Sequence, residues 1–295
     1  MRPWREALGH RASARLARSE MTSSRVAVVP DLAPIGGSLE HYGHFLLGYL
    51  APLMALLQGA APGPRELAVV DCGPVLNPLF DFVTGDRLTT VRTLPAGRLA
   101  WTTTSGQRVV PFRFDRVQGH DVERLGRARA FALAQLDRHR PCPEAQAAAG
   151  RVLVIRRSPS PGFYRPGGAA RISGYGTERR AITNTDEVAA ALQDAGLPAT
   201  VFEPGSHSLA CQVHAFARAA GVIGQRGADL ANVVWMAPPH VLVMLNPRPM
   251  AALPPVVASI AGVLEIPSVA LPMADLHGAV PEDDVVRACL ALLSP

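Results

Sequence analysis

The chain contains no lysine; all 29 of its Lys+Arg residues are arginine. That excludes a GxxxxGK phosphate loop, which needs the lysine ammonium, and Schiff-base catalysis, which needs an amine. Cysteine is scarce too. Cys72, Cys142, Cys211 and Cys289 lie far apart and form no CxxC pair. Their spacing predicts neither a zinc site nor a disulfide framework, and reads as reduced thiols in a cytoplasmic setting. Long apolar runs are missing. GHFLLGYLAPLMALL carries Gly48 and Pro52 inside it and is shorter than the roughly 20 residues that span a bilayer. It reads as a buried helix, and no transmembrane segment is expected. Residues 1–24 are rich in Arg and Ala but have no apolar centre, which excludes a secretory signal. They read as a disordered leader, or as lying upstream of a start at Met21. Aromatics are few, 5% of residues, and the arginines behind the net charge of +5 are dispersed. Nucleic acid is therefore not an expected partner; smaller anions such as phosphates are.

At roughly 100–200 residues per domain, 295 residues predict about two domains, each with its own core. In the first half, RVAVV (25–29) and ELAVV (66–70) read as strands, with a helix between them from about Leu39 to Leu57. Residues 88–114 alternate and carry Thr and Val, the pattern of two or three short strands. RPCPEAQAAAG (140–150), with its prolines and terminal glycine, reads as a linker. The second half is more regular. Strands RVLVI, ATVFE, VIG and VLVML alternate with helical periodicity, which predicts a parallel sheet with helices on both faces. Asn184 with Glu187 has capping-box spacing. PEDDVVRACLALL opens with proline and acids, as a helix N-terminus does.

The stretch VIGQRGADLAN carries the chemistry. Ligands of open parallel sheets bind beyond the carboxyl ends of the strands, where residues 225–228 fall. A following helix N-terminus favours anions. Gly227 permits close backbone approach, and Arg226 offers a planar cationic fork. Together they predict a phosphate or diphosphate site. The spacing is GxxGxxG, and no acid lies between Asp229 and Glu265, which argues against a dinucleotide cofactor.

The run from Arg179 to Pro247 resembles glycosyltransferase family 61. Arg180, Ile182 and Asn184 match its opening, Gly196 its helix stop, Gln212, Phe216 and Ala219 its glutamine helix, and Gly227, Ala228, Leu230 and Asn232 its loop. Upstream, VLVIRR matches a strand ending in arginine, so Arg156 or Arg157 takes that place; HYGHFLLGYLAPLMAL matches a histidine helix, with His44 the counterpart. The likeness covers roughly residues 36–246 and is specific from about 180. It departs at Arg226, where the family has histidine, at Asp229, where it has glycine, and at Gly48, where an acid is expected.

The resemblance implies two Rossmann-like α/β domains in a GT-B-like arrangement, and an inverting transferase of the bacterial capsular-polysaccharide type. Residues 25–147 would form the acceptor side and 148–280 the nucleotide-sugar side, with a helix in 281–295 packing back towards the first domain. The partners implied are a nucleotide-diphosphate sugar as donor and a glycan or small molecule as acceptor. No cofactor and no metal are implied, since arginines and helix ends hold the diphosphate. Inverting transfer needs a base for the acceptor hydroxyl, for which His44 is the candidate, with His41 one turn earlier. Asp31 and Glu40 are lesser candidates. The donor set is Arg156, Arg180, Gln225, Arg226, Gly227, Ala228, Asp229, Leu230 and Asn232, with Glu203 placed for ribose or sugar. A catalytically lapsed member that binds nucleotide or glycan without transfer stays open, as does a sugar epimerase on the same architecture.

Overall fold

The computed structural model describes residues 25–30, 39–59, 66–85, 88–94, 106–110, 112, 119–165, 167–168, 180–238, 240–247 and 255–293. The expected leader 1–24, Asp31, Gly36 and Gly37 lie outside them.

The first half holds a four-stranded, all-parallel sheet: β1 (Arg25–Pro30), β2 (Glu66–Val70), β3 (Thr90–Leu94) and β4 (Gly106–Val109), in spatial order β3-β2-β1-β4. Its central helical segment begins as α1 (Tyr42–Phe45), widens into a π-turn over Leu46–Leu50 and continues as α2 (Ala51–Gly59). The wide turn falls just before Pro52, which has no N–H to give to the carbonyl four residues back and whose ring crowds that carbonyl. A 3₁₀ segment (Asn77–Val83) and α3 (Gly119–Gln135) complete the half.

The second half holds a five-stranded parallel sheet, β5 (Val152–Ile155), β7 (Ala199–Phe202), β8 (Gly221–Gln225), β9 (Val241–Pro247) and β10 (Ser268–Met273), in order β10-β9-β8-β5-β7. Two short strands, β6 (Ala181–Ile182) and β11 (His277–Gly278), pair beside it. Successive side chains of a strand point to opposite faces, and both faces are buried. Leu153, Ile155, Val222, Leu242 and Met244 enter one hydrophobic cluster, while Val152, Val154, Ile223, Val243 and Leu245 enter another. This is why the strands read as unbroken apolar runs.

The flanking helices are α5 (Thr185–Asp194), α6 (Leu209–Arg218), α7 (Pro255–Val263) and α8 (Glu282–Leu293), with a 3₁₀ segment (Ala228–Trp235) after β8. The larger cluster is shared. Phe45, Leu53, Leu67 and Phe80 of the first half belong to the same buried set as Phe216, Trp235 and Ile260 of the second. Separate cores were expected; instead one buried cluster runs through both halves.

Three local expectations change. The 140–150 segment carries a short helix, α4 (Pro143–Ala147), that packs on α6, with Ala145 and Ala148 buried, so it is an integral part of the fold. Asn184 makes no side-chain capping bond; its Nδ2 donates to Val280 O (2.9 Å) and Glu282 Oε1 (2.5 Å), and its Oδ1 accepts from Val280 N (2.9 Å). It pins the start of α8 to the start of α5. And α8 packs on α5, β9 and β10, within the second half, because its buried Val285 and Cys289 complete the cluster around Val188 and Leu192.

Candidate active site

One reversal in the strand order sets the location. From β5 the chain steps outward to β7, then returns to the other side of β5 as β8. The loops after β5 and β8 therefore part in opposite directions, which leaves a crevice at the carboxyl ends of those strands. A cavity of about 150 Å³ occupies it. The second half contributes Arg157, Ser158, His207, Gln212 and Asp229, while Tyr42, Val75, Leu76 and Leu79 of the first half form the opposite wall.

Arg157 is the cation of this cavity. Its side chain is 10% exposed, and its Nε lies 3.4 Å from Asp229 Oδ2. Among the described residues, Nε and Nη1 are buried without a hydrogen-bond partner, as is Ser158 Oγ on the next residue. Buried donors normally find acceptors, so this loop presents an unfilled acceptor-seeking surface. Gly227 serves the same arginine. Its backbone is extended, φ 176°, and a Cβ built there would stand 2.7 Å from Arg157 Nη1. The glycine is required by the guanidinium lying against it, not by a left-handed turn.

Asp229 faces that guanidinium. Burial, foremost, raises its carboxyl pKa, and Glu203 adds to the rise, while Arg157 and Arg180 oppose it. The carboxyl thus holds Arg157 in position yet is less costly to neutralise than a surface aspartate.

Arg156, the sequence choice, points elsewhere. It bonds Thr185 Oγ1 through Nε (3.0 Å) and Nη2 (2.9 Å), reaches Asp186, and is 39% exposed. Alternation along the strand sends adjacent arginines to opposite sides, and the sequence did not say which side holds the cavity. Arg180 Nη1 donates to Arg226 O at 2.6 Å, fixing the backbone of the loop. Arg226 is half-buried and does not line the cavity. Gln225 is 4% exposed, and its Nε2 donates to Leu276 O at 2.8 Å, so it belongs to the core. Leu230 is buried under Gly224, whose built Cβ would meet Leu230 Cδ2 at 2.8 Å. Glu203 follows β7, half-buried, in the field of Asp229. Ala228 opens the 3₁₀ segment.

Asn232 is fully buried and forms a polar link across the halves. Its Nδ2 donates to Gln212 Oε1 (3.0 Å), and its Oδ1 accepts from Trp235 Nε1 (3.1 Å). Tyr42 Oη lies 2.8 Å from both Gln212 Oε1 and Asn232 Oδ1, with one proton to give. Tyr164 Oη donates to Glu40 O at 2.7 Å, tying the loop after β5 to the same helix start. His41 and His44 stand beside Tyr42 with ring centroids 4.7 Å apart, both half-buried. Neither lines the cavity; Tyr42 is the residue of that helix that does. Tyr42, Ser158 and His207 escaped sequence reasoning, since none carries a motif. Gln212 appeared only as a family match.

The arrangement is that of an α/β protein with an arginine-lined crevice at the switch point of a parallel sheet. The family profile described as Glycosyltransferase 61 matches residues 42–243, and the chain belongs to that family and is a glycosyltransferase. Among solved structures it is similar to a glycosyl transferase family 9 protein from Veillonella parvula DSM 2008, at 12% identity over 91% of this chain and 97% of that one, with a TM-score of 0.42. Comparison with curated protein sequences gave no match. Among the described residues no helix is long and apolar enough to cross a membrane.

Proposed function

We propose that this glycosyltransferase moves a sugar from a nucleotide-diphosphate donor to an acceptor hydroxyl with inversion, in a GT-B-like cleft between residues 25–147 and 148–280. The observation that carries the reading is Arg157 with Ser158: two guanidinium nitrogens and a hydroxyl, buried at the cavity and, among the described residues, without hydrogen-bond partners. A diphosphate supplies the acceptors they lack, and the guanidinium stabilises the negative charge that grows as the sugar–phosphate bond breaks. Arg180 holds the 226–229 backbone in place, and Asp229 positions Arg157. Lysine-free chemistry is sufficient here, since the leaving group is held by arginine and no amine takes part.

Inversion places the attacking hydroxyl opposite the leaving diphosphate. Asp229, beside Arg157, lies on the leaving-group side, so the base comes from the opposite wall. Of the residues there, Tyr42, Val75, Leu76 and Leu79 accept no proton near neutral pH. His44, the counterpart in the family pattern, with His41 beside it, is assigned the role; both flank Tyr42 in the chain and stand next to the cavity wall without lining it. The acceptor, a bacterial capsular-type glycan or a small molecule, enters past the apolar wall of Val75, Leu76 and Leu79. No cofactor takes part, and the diphosphate is held without a metal.

The test is thermal unfolding against a panel of nucleoside diphosphates, with and without magnesium. A ligand at about 100 times its Kd adds roughly 2.7 kcal/mol, a rise of several degrees for a chain of this size. One diphosphate should raise the midpoint without magnesium, and Arg157→Gln should erase that rise. Turnover is then followed by NMR of the anomeric product. His44→Ala should lower kcat by about 10²–10⁴. A full rise in Arg157→Gln, or unchanged kcat in both His41→Ala and His44→Ala, sinks the corresponding assignment.

A further inference from the structure

Three side chains that the transfer chemistry does not use meet at the edge of the same cavity. Cys142 stands at the start of α4, His207 at the end of the turn that follows β7, and Cys211 in the first turn of α6. They are far apart in the chain, yet one ligand atom from each lies within 4.8 Å of the other two. Cys142 Sγ is 3.7 Å from His207 Nδ1. In a tetrahedral zinc site with Zn–S about 2.3 Å and Zn–N about 2.0 Å, a sulfur–nitrogen edge is roughly 3.6 Å. That pair already stands at edge length.

The surroundings fit ligation. Cys211 Sγ accepts the backbone N–H of Cys142 at 3.0 Å and the hydroxyl of Ser208 at 3.2 Å. Such outer bonds orient a thiolate ligand and stabilise its charge. The His207 ring is fixed by stacking on Phe202, with centroids 4.9 Å apart and planes at 12°. Two sulfurs and an imidazole select a soft or borderline cation over magnesium or calcium, which take oxygen.

We propose that Cys142, His207 and Cys211 bind one zinc ion. The fourth position is left to water or to a group in the cavity that His207 lines. The ion would staple the segment joining the two sheets to the turn after β7, and so hold one wall of the cavity. Sequence spacing gave no sign of this, because the site is assembled by the packing of α4 on α6 and not by a short motif.

The full-length chain, reduced with a non-chelating phosphine, is titrated with cobalt(II). A sulfur-to-cobalt charge-transfer absorption should saturate at one equivalent and vanish when zinc is added. Zinc should also raise the unfolding midpoint of the metal-free chain. Cys142→Ser and Cys211→Ser should each lose the absorption, while Cys289→Ala, in the other cluster, keeps it. His207→Gln, which leaves both thiols, should weaken zinc binding by about 10-fold or more; it guards against a cysteine variant that fails to fold. Three results overturn the proposal: no absorption at saturating cobalt, an absorption that survives Cys142→Ser, or thiol titration showing Cys142 and Cys211 joined as a disulfide in the protein as isolated.

Discussion

The two sheets differ in how they are covered. In the second, β5 and β8 are buried along their whole length on both faces. In the first, β2 alternates between half-buried and buried, and β3 is mostly exposed, with an ion pair of Arg92 and Glu66 (2.7 Å) across its edge. The buried residues of the first half are continuous with those on one face of the second sheet, through Phe45, Phe80 and their neighbours. The division of labour follows. The second sheet is the frame from which the loops bearing Arg157, Ser158 and Asp229 project, and Val75, Leu76 and Leu79 of the first half form an apolar wall opposite them.

The largest test of that asymmetry is Trp235→Ala. Trp235 is 1% exposed in the shared cluster, and large-to-small changes there cost about 3–5 kcal/mol. With one shared core, calorimetry should show a single transition whose midpoint falls as a unit. Two separable transitions, with only one moved, would mean that the halves fold independently. Gly224→Ala comes next. Its Cβ would press on Leu230 Cδ2 at 2.8 Å and Ile155 Cβ at 3.3 Å, and overpacking of this kind costs about 1–3 kcal/mol. Tyr42→Phe is milder. Gln212 and Asn232 keep each other as partners, so the loss is about 0.5–1.5 kcal/mol, read from denaturant midpoints.

Gly227→Ala sharpens the contrast between frame and loop. Its φ of 176° suits alanine as well as glycine, and the atom in the way is the tip of a flexible side chain. Stability should change little. The displaced Arg157 should nonetheless lose the diphosphate-induced rise in midpoint. Gly224 and Gly227, three residues apart, would then separate packing from binding.

How much of this could be read beforehand follows the same asymmetry. The runs VLVI and VLVML announce a doubly covered parallel sheet, because burial on both faces removes the polar alternation that would confuse it with anything else. The glycine loop after VIG pointed to the strand end where the cavity lies. Which residue carries the charge was not legible. Arg156 and Arg157 are adjacent and chemically identical, and only the strand's orientation sends the second to the cavity and the first to Thr185. Arg226 reads as the obvious ligand, yet what the structure uses is its carbonyl, held by Arg180. Asn232 and Gln212 match a family pattern, but their pairing with Tyr42 is a long-range contact with no local trace. The same holds for Cys142 and Cys211.

The smallest effects come from two groups whose ionisation pulls in opposite directions. Burial, aided by Arg129, pushes the His240 pKa down to about 4. Its imidazole is therefore held neutral in the folded chain, and Nδ1 accepts from Ala237 N at 3.2 Å. Its contribution is present above the unfolded value of about 6.5 and is lost as the pH falls through about 4. Asp229 is shifted upward, so its contribution is fully present at acid pH and is lost as the pH rises through its raised pKa. Unfolding midpoints measured across pH should show the wild type falling relative to His240→Gln on acidification from about pH 6.5 towards pH 4, and relative to Asp229→Asn as the pH rises through that carboxyl's titration. The second trend carries a functional counterpart. A protonated Asp229 no longer competes for Arg157, so diphosphate affinity should be higher on the acid side of that carboxyl's titration, and Asp229→Asn should flatten the dependence. An affinity that rises with pH in the wild type would place the bound anion away from Arg157.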